Sequence, residues 1–167
     1  MDINIRPGTE SDIPVLTEIF NYHIENGHST FSEKPVTAEG MLDQFQHYDL
    51  TGPYRLLVAE IDGKIVGRAS SFRYRQSQAF DKTVEIGIYL APEAMGKGVG
   101  SQLYQSLFDA LSNEDLHLAV VGIALPNNGS VALHKKFGFK NVGVFDEYAL
   151  VKGKFYSSVW MQKRLDI

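Results

Sequence analysis

The sequence predicts a mixed α/β fold in which helices flank a largely antiparallel sheet. One observation is a hairpin signal, because Asp62 and Gly63 stand between two strand-like runs, RLLVAEI and KIVGRASSFRYR. A second is the order of patterns: a strand, two helices, antiparallel strands, then two strand–helix units and two final strands. A third is a glycine-rich turn at residues 96–100, which joins the strand TVEIGIYLAP to a helix.

The N-terminal half begins with MDINIRP, whose alternating pattern predicts a short strand that ends at Pro7. Thr9 and Ser11 are both candidate N-caps for the helix that follows. Residues 25–36 read as a loop, and a second short helix is expected after it. The inward faces of these two helices are predicted to carry Ile13, Leu16, Ile19, Phe20, His23 and Ile24 in the first, and Met41, Leu42, Phe45 and Tyr48 in the second.

The C-terminal half continues from the glycine turn into SQLYQSLFDALS, which carries a helical stripe of apolar residues. HLAVVGIAL predicts a buried strand, and NNGSVALHKKF predicts a short helix with Gly138 at its C-terminal end. The remaining segment, NVGVFDEYALVKGKFYSSVWMQKRL, predicts two strands joined by a loop.

Composition limits the functions that the chain can perform. The 167 residues show no repeat or linker, so a single domain is expected over residues 1–167. A net charge of −4 argues against nucleic acid as the main partner. The lack of cysteine excludes disulfides, thiolate zinc sites and a cysteine nucleophile, and the spacing of the histidines gives no reason to expect a metal.

The location expected from the sequence is the cytoplasm, without contact with a membrane. The N-terminal segment MDINIRPG lacks the basic region and apolar run of a secretory signal. No apolar stretch approaches the length of a membrane span.

The glycine turn between a strand and a helix predicts an anion site. Glycine lets the backbone approach a phosphate, and the first N–H groups of a helix lack intrahelical partners. A P-loop is excluded because Ala91 and Gly98 stand where that motif needs Gly and Ser or Thr. A dinucleotide-binding turn fits poorly, since Ser101 replaces its last glycine. The remaining alternative is that the glycines only form a tight turn.

The run MGKGVGSQLY after EIGIYLAPEA resembles the acetyl-CoA-binding motif of the GNAT (GCN5-related N-acetyltransferase) superfamily, although Ala94 and Met95 do not supply its leading Gln or Arg. ALPNNGSVALHKKFGF is similar to the second motif of that superfamily. The segments IRPGTESD, NYHIENGHSTFSEKP and TVEIGIYLAP resemble one branch, which contains the phosphinothricin and methionine sulfone/sulfoximine N-acetyltransferases. The resemblance covers nearly the whole chain.

The resemblance implies the GNAT fold, with splayed central strands that bind acetyl-CoA. It also implies acetyl transfer to the amino group of a small amino-acid-like substrate, and a homodimer. The backbone of Ile88, Tyr89 and Leu90 would pair with the pantetheine arm. The remaining residues that the resemblance assigns to the co-substrate are Gly96, Lys97, Gly98, Val99, Gly100 and Ser101 at the pyrophosphate, together with Asn127 and Lys136.

Amine acetylation requires a base for the amine and benefits from a proton donor for the departing thiolate. Glu85 is the candidate base, because an isolated carboxylate in an apolar strand is costly to bury. Strand alternation places it on one face with Gly87 and Tyr89. The alternative is a cross-strand ion pair between Glu85 and an arginine of the RYR segment.

His134 is the second catalytic candidate. It stands where many superfamily members carry a tyrosine that protonates the thiolate, and the resembled branch also carries histidine there. A histidine can donate a proton near neutral pH. The alternative is a helix histidine that a neighbouring backbone group satisfies.

Substrate-binding candidates come from two segments. In the resembled branch, Phe31 and the segment Gln78, Ala79 and Phe80 match positions at the substrate pocket. Arg73, Tyr74 and Arg75 could bind a carboxylate or phosphinate, although a solvated strand end explains this cluster as well. Together with Arg68, these arginines favour an anionic amino acid as acceptor.

Two departures from the branch bear on the acceptor. Gly87 replaces a usual serine, and Phe155 and Ser157 replace a usual Trp and Asp. The open alternatives are a GNAT enzyme for a peptide N-terminus, a polyamine or an aminoglycoside, and a non-catalytic acyl-CoA-binding sensor on the same fold.

Overall fold

A computed structural model describes residues 1–166, which form a sheet of seven strands in the order β1-β2-β3-β4-β5-β7-β6. The strands are β1 (Ile3–Pro7), β2 (Leu56–Ile61), β3 (Lys64–Arg73), β4 (Thr83–Leu90), β5 (Leu118–Ala124), β6 (Lys140–Val151) and β7 (Lys154–Arg164). The helices are α1 (Ile13–Asn26), α2 (Ala38–Phe45), α3 (Val99–Leu111) and α4 (Asn128–Lys136). Short 3₁₀ turns occupy Glu10–Asp12, Gln78–Phe80 and Pro92–Ala94.

The pairing of the strands confirms the predicted mixed α/β class with a largely antiparallel sheet. Within residues 1–166, every strand pair is antiparallel except β4–β5. The predicted hairpin joins β2 to β3 through Asp62 and Gly63, whose φ angles are 51° and 75°. A two-residue hairpin turn that matches the right-handed twist of its strands requires positive φ at both central residues.

The start of α1 differs from the expectation. Thr9 is the N-cap of a 3₁₀ turn that contains Ser11, and Asp12 is the residue before the first residue of the α-helix. The carboxylate of Asp12 accepts hydrogen bonds from Arg6 at 2.8 and 2.9 Å and from the Thr9 N–H at 2.8 Å. Arg6 also binds Glu60 at 2.7 Å, so this ion cluster joins β1, β2 and the start of α1. The Arg6 guanidinium lowers the pKa of Asp12 below its usual value.

The core lies on both faces of the sheet. One face of β3 carries Arg68, which contacts the region of α2 through Met41 and Tyr48. The opposite face packs on α3, where a Cβ added to Gly67 would lie 3.4 Å from Leu103. The predicted stripe of α3 is buried, and so are Leu16, Ile19 and Ile24 of α1. The helices are therefore divided between the two faces by the alternation along each strand.

The central strands β4 and β5 separate part of the way along the sheet. They pair only through Thr83–Glu85 and Leu118–Val120, whereas β4 stays paired with β3 up to Leu90. β5 turns its other residues toward β7, with which it pairs over its whole length. Beyond Glu85, one edge of β4 is left without a strand partner in the part of the chain that the structure describes, and a cleft opens there.

Candidate active site

The cleft between the separated strands has a volume of about 880 Å³. Its wall combines two regions that lie on the two sides of β4. The first contains α1, the α2 region and the face of β3 that carries Arg68. The second contains the glycine turn, α3, the end of β5 and α4. Representative wall residues are Phe20, Tyr48, Arg68 and Glu85 in the first region and Gly98, Tyr104, Gly122 and Ser130 in the second.

The glycine turn presents backbone N–H donors to the second wall region of the cleft. Gly96 and Gly98 have φ angles of 71° and 82°, and no atom lies within 4 Å of a Cβ added to either. The backbone conformation, and not crowding, therefore requires glycine here. The first bond of this helix turn runs from the Gln102 N–H to the Gly98 carbonyl. The N–H groups of the three residues between them have no hydrogen-bond partner within residues 1–166 and can bind an anion.

Positive charge and a cap complete this end of the site. The Lys136 ammonium donates a hydrogen bond to the Ser101 hydroxyl at 2.9 Å, which brings a cation from α4 to the start of α3. The Asn127 side chain caps α4 by accepting from the Ser130 N–H at 3.1 Å. Lys97 is exposed and Val99 is buried, and neither side chain lines the cleft.

The unpaired edge of β4 supplies the middle of the cleft. Ile88, Tyr89 and Leu90 all line the wall beyond the last residue that pairs with β5. An extended chain can hydrogen-bond to such an edge as an added strand would. Together with the free donors at the start of α3, this edge fits a long molecule that carries phosphates at one end, as acetyl-CoA does.

Glu85 lies where β4 and β5 begin to separate, and its side chain is half-buried in the wall. Burial raises the pKa of Glu85, and the charge of Arg75 offsets this only in part. The cross-strand neighbour of Glu85 is Phe72, and no ion pair of Glu85 occurs within residues 1–166. The alternative of a cross-strand ion pair is therefore wrong, since Arg73 pairs with Asp81 at 2.9 Å.

His134 is buried and both of its ring nitrogens are occupied. Nδ1 lies 2.7 Å from the Ser130 carbonyl oxygen, and Nε2 lies 2.8 Å from the Tyr104 hydroxyl. A carbonyl only accepts, so Nδ1 carries the proton and Nε2 accepts from the tyrosine O–H. Burial lowers the pKa of His134, although the bond to Ser130 opposes this. In this tautomer the ring proton of His134 is held by the Ser130 carbonyl and Nε2 accepts a hydrogen bond, so the role of His134 as a proton donor stays a prediction.

Tyr104 is a wall residue that the sequence did not identify. It lies on the buried face of α3, and burial raises its pKa well above the usual value, so the phenol stays protonated. A tyrosine within an apolar helical stripe reads as a core residue. Only its hydrogen bond to a histidine 30 positions later distinguishes it.

The predicted substrate residues are only partly brought together. Arg73 lines the cleft, but its guanidinium is held by Asp81 and by the carbonyls of Arg75 and Gln76. Arg75 is exposed and its guanidinium lies 4.9 Å from the ring of Tyr74. The other predicted positions do not line the cleft: Tyr74 packs against Phe80 and Trp160, Phe31 packs against Tyr148, and Gln78 and Ala79 lie in the exposed 3₁₀ turn with Phe80.

Residues 1–166 contain neither a cluster of metal-ligating side chains nor a membrane-spanning helix. No group of three or more His, Asp or Glu side chains is arranged to hold a metal ion in this part of the chain. No helix over the same residues is both long and apolar enough to cross a membrane.

The state of His134 can be tested directly. We expect ¹⁵N NMR of the labelled protein to show a neutral ring with the proton on Nδ1, and a pKa below the ordinary 6.5. Tyr104→Phe is the matched control, because it removes the bond to Nε2 and leaves the bond to Ser130 in place. Protonation of His134 above pH 6.5, or a proton on Nε2, would contradict this arrangement.

Known proteins with similar sequences are acetyltransferases. The chain is 40% identical over 166 residues to a phosphinothricin N-acetyltransferase of Streptomyces coelicolor, with 98% of this chain and 97% of the relative covered. It is 29% identical over 164 residues to an L-methionine sulfoximine/L-methionine sulfone acetyltransferase of Salmonella typhimurium, with 98% and 95% covered.

The fold and a family match agree with these relatives. A crystal structure of a GNAT superfamily phosphinothricin acetyltransferase from Sinorhizobium meliloti, in complex with acetyl-CoA, superposes with a TM-score of 0.92 at 28% identity and covers 98% of this chain and 89% of that one. The predicted GNAT fold is thereby confirmed. Residues 16–139 match the Acetyltransferase (GNAT) family. The chain therefore belongs to the GNAT family of acetyltransferases and is an acyltransferase.

Proposed function

We propose that the protein transfers the acetyl group of acetyl-CoA to the amino group of a small amino-acid-like substrate. One observation carries this proposal: the cleft joins backbone N–H donors at the start of α3 to the half-buried carboxylate of Glu85, and neither has a partner within residues 1–166. The names of the relatives support it, because they describe acetyltransferases for phosphinothricin, methionine sulfoximine and methionine sulfone.

The co-substrate would be held by backbone groups over most of its length. When bound, acetyl-CoA supplies an acetyl thioester and a thiol leaving group. The N–H groups of residues 99–101 and the Lys136 ammonium would bind its pyrophosphate, and the edge of β4 at residues 88–90 would bind its pantetheine arm. Asn127 would contribute by fixing the start of α4, and the positive φ of Gly96 and Gly98 keeps the turn open.

Glu85 would act as the general base. Its carboxylate lies in the cleft wall without a cation within ion-pair distance in residues 1–166, and burial raises its pKa. A raised pKa makes a carboxylate a stronger base, which suits the removal of a proton from an ammonium group. Glu85 would remove a proton from the acceptor ammonium, directly or through a water, and so free the nitrogen lone pair for attack on the thioester.

Tyr104 and His134 would supply the proton for the departing thiolate, on the side of the thioester away from Glu85. The phenol is the protonated member and lies in the wall with its O–H directed at His134 Nε2. To protonate the departing thiolate, the Tyr104 O–H would have to rotate from His134 Nε2 toward the cleft, while His134, held by the Ser130 carbonyl, keeps the phenol in position. We therefore assign proton donation to the pair instead of to the histidine alone.

The role of Glu85 predicts a pH-dependent loss of activity in Glu85→Gln. We expect kcat/KM to fall by roughly 10²- to 10⁴-fold, which is the usual contribution of a general base. In the wild type, kcat/KM should rise with pH as Glu85 loses its proton, with a midpoint above the ordinary 4.5 because its pKa is raised. The variant should lack this rise. The measurement is CoA thiol release with phosphinothricin and methionine sulfone as acceptors.

Two controls accompany this experiment. Acetyl-CoA affinity, measured by calorimetry, should be unchanged in Glu85→Gln. Glu18→Gln changes an exposed carboxylate on α1 and should behave as the wild type. An equal pH profile for wild type and Glu85→Gln would overturn the role of the base. A wild type that binds acetyl-CoA but acetylates no amine would favour the sensor alternative.

The pyrophosphate site predicts a salt-dependent effect at Lys136. We expect Lys136→Gln to weaken acetyl-CoA binding by about 10-fold, as the loss of one charge-assisted hydrogen bond does. The difference should shrink at high salt because the ammonium is exposed. The measurement is calorimetric titration with acetyl-CoA at low and high salt.

The neighbouring residue is the matched control for Lys136. Lys135→Gln removes the same charge from the same turn of α4 and should leave the affinity almost unchanged. Equal losses of acetyl-CoA affinity in the two variants would show that the affinity depends only on the net charge of α4.

We also propose that two copies of the chain associate through the hairpin of β6 and β7. β6 lies at the edge of the sheet and its side chains are exposed over nearly its whole length. An unpaired edge with exposed apolar residues is typical of an interface. The exposed apolar side chains are Val142, Val144, Phe145, Tyr148 and Leu150 of β6 and Phe155 of β7.

A charge within this patch should separate the copies. Leu150 and Phe155 are opposite each other across the hairpin and are both more than half exposed. We expect light scattering to give a dimer mass for the wild type and a monomer mass for Leu150→Asp. Leu50→Asp, at an exposed leucine outside the hairpin, is the control and should stay dimeric. A monomeric wild type at high concentration would refute the proposal.

The cytoplasmic location and the single domain over residues 1–167 stay predictions.

A further inference from the structure

Arg68 is a buried cation in the wall of the cleft, in the region that also contains Glu85. It lies on β3, its exposed fraction is 6%, and it lines the same cavity as Glu85. The strand register pairs it with Tyr89, while Ser70 pairs with Gly87 and Phe72 with Glu85. These three cross-strand pairs therefore lie on one face of the sheet.

The partners of Arg68 are all neutral. Its Nη2 donates to the Tyr48 hydroxyl at 3.1 Å and to the Ser70 hydroxyl at 3.3 Å, and Nη1 lies 3.5 Å from the Met41 sulfur. Its Nε is buried without any hydrogen-bond partner in residues 1–166. No carboxylate of the described chain lies within ion-pair distance of this guanidinium, although Arg6, Arg55 and Arg73 each have one.

Such an arrangement is unfavourable in the free protein. A guanidinium keeps its charge in proteins, so burial cannot be relieved by loss of a proton. Buried charges in proteins are normally paired, because the cost of removing them from water is large. A bound oxyanion would supply the missing partner, and the planar fork of donors suits an anion with two oxygens.

The position of the guanidinium also suits an amino-acid acceptor. Its bond to Ser70 places it near the level of Gly87, two residues from Glu85 along β4, which is about 7 Å at the rise of a strand. Gly87 has no side chain to fill the space between them. A small amino acid could therefore present its ammonium to Glu85 and an oxyanion to Arg68.

We propose that Arg68 is the acceptor-binding residue that recognises the oxyanion of the substrate, either its α-carboxylate or a phosphinate at the end of its side chain. This inference rests on the proposed function, since it names the charge of the acceptor at the same site. It transfers the role expected for Arg73 and Arg75 to a residue whose guanidinium has no carboxylate partner within residues 1–166.

The test compares Arg68→Met and Arg68→Lys with the wild type in acetylation and in calorimetric binding of the acceptor. Arg68→Met keeps much of the volume without the charge. We expect its KM and Kd for phosphinothricin and methionine sulfone to rise about 10- to 100-fold, as removal of charge-assisted hydrogen bonds does. Its KM for acetyl-CoA should not change. Arg68→Lys, which keeps the charge without the fork, should recover part of the loss.

The choice of acceptors distinguishes the two oxyanions. The side chain of methionine sulfone is uncharged, so a loss with both acceptors identifies the α-carboxylate. A loss confined to phosphinothricin identifies the phosphinate. In the first case the carboxamide of methionine sulfone should be a poor substrate for the wild type, and Arg68→Met should treat the acid and the amide alike.

Thermal stability separates this role from a structural one. Removal of an unpaired buried charge should leave the melting temperature of Arg68→Met unchanged or higher. Arg55→Met is the control, because it strands the Glu114 carboxylate that Arg55 binds at 2.8 Å, and it should melt lower. A lower melting temperature for Arg68→Met with unchanged acceptor KM and Kd would overturn the inference and leave the proposed function standing. A wild type that neither binds nor acetylates any amino acid would overturn both.

Discussion

The separation of β4 from β5 is the constraint on which the rest of the site depends. The two strands pair through three residues each and then part, which leaves one edge of β4 without a strand in the described chain. Unpaired backbone groups are costly inside a protein unless a ligand or water satisfies them. The same divergence creates the cleft, places the start of α3 at one end and leaves Glu85 at the point of separation. Binding surface and base therefore share one structural cause.

Small residues make this separation possible. A Cβ added to Gly100 would lie 3.3 Å from the end of the Leu133 side chain, so glycine at this position favours the close approach of the start of α3 to α4. A Cβ added to Gly122 of β5 would lie 2.7 Å from the ring of Trp160 on β7. The indole thus fills the space beside the separated part of β5, and its packing helps to keep β5 with β7. Close packing on both sides of the cleft fixes its width.

Local patterns made most of the fold predictable, whereas the chemistry of the site depends on contacts between distant residues. The hairpin at Asp62 and Gly63 and the glycine turn follow from backbone preferences of neighbouring residues. The start of α1 was predicted less well, because Asp12 is engaged by Arg6 of a neighbouring strand. Glu85 was recognised because a carboxylate is unusual in an apolar strand.

The role of Tyr104 and the isolation of Arg68 had no such local signal. Tyr104 becomes informative only through its contact with His134, which lies on another helix. The lack of a carboxylate within ion-pair distance of Arg68 in residues 1–166 is likewise a property of the packed structure, since the sequence shows only an arginine in a strand. The resemblance to known acetyltransferases supplied the role of the glycine turn, and the structure supplied its free N–H groups.

The departures from the resembled branch differ in their effect on the acceptor site. Ser157 stands where that branch usually has Asp, but it binds Asp146 at 2.9 Å and the Glu147 N–H at 2.9 Å within the β6–β7 hairpin, and it does not line the cleft. Gly87 does line the cleft, and a Cβ there would lie 3.9 Å from the Ser70 hydroxyl. A serine side chain at this position would project from the same face of the sheet as Glu85 and Arg68. The change at Gly87 therefore alters the wall of the cleft, whereas the change at Ser157 does not.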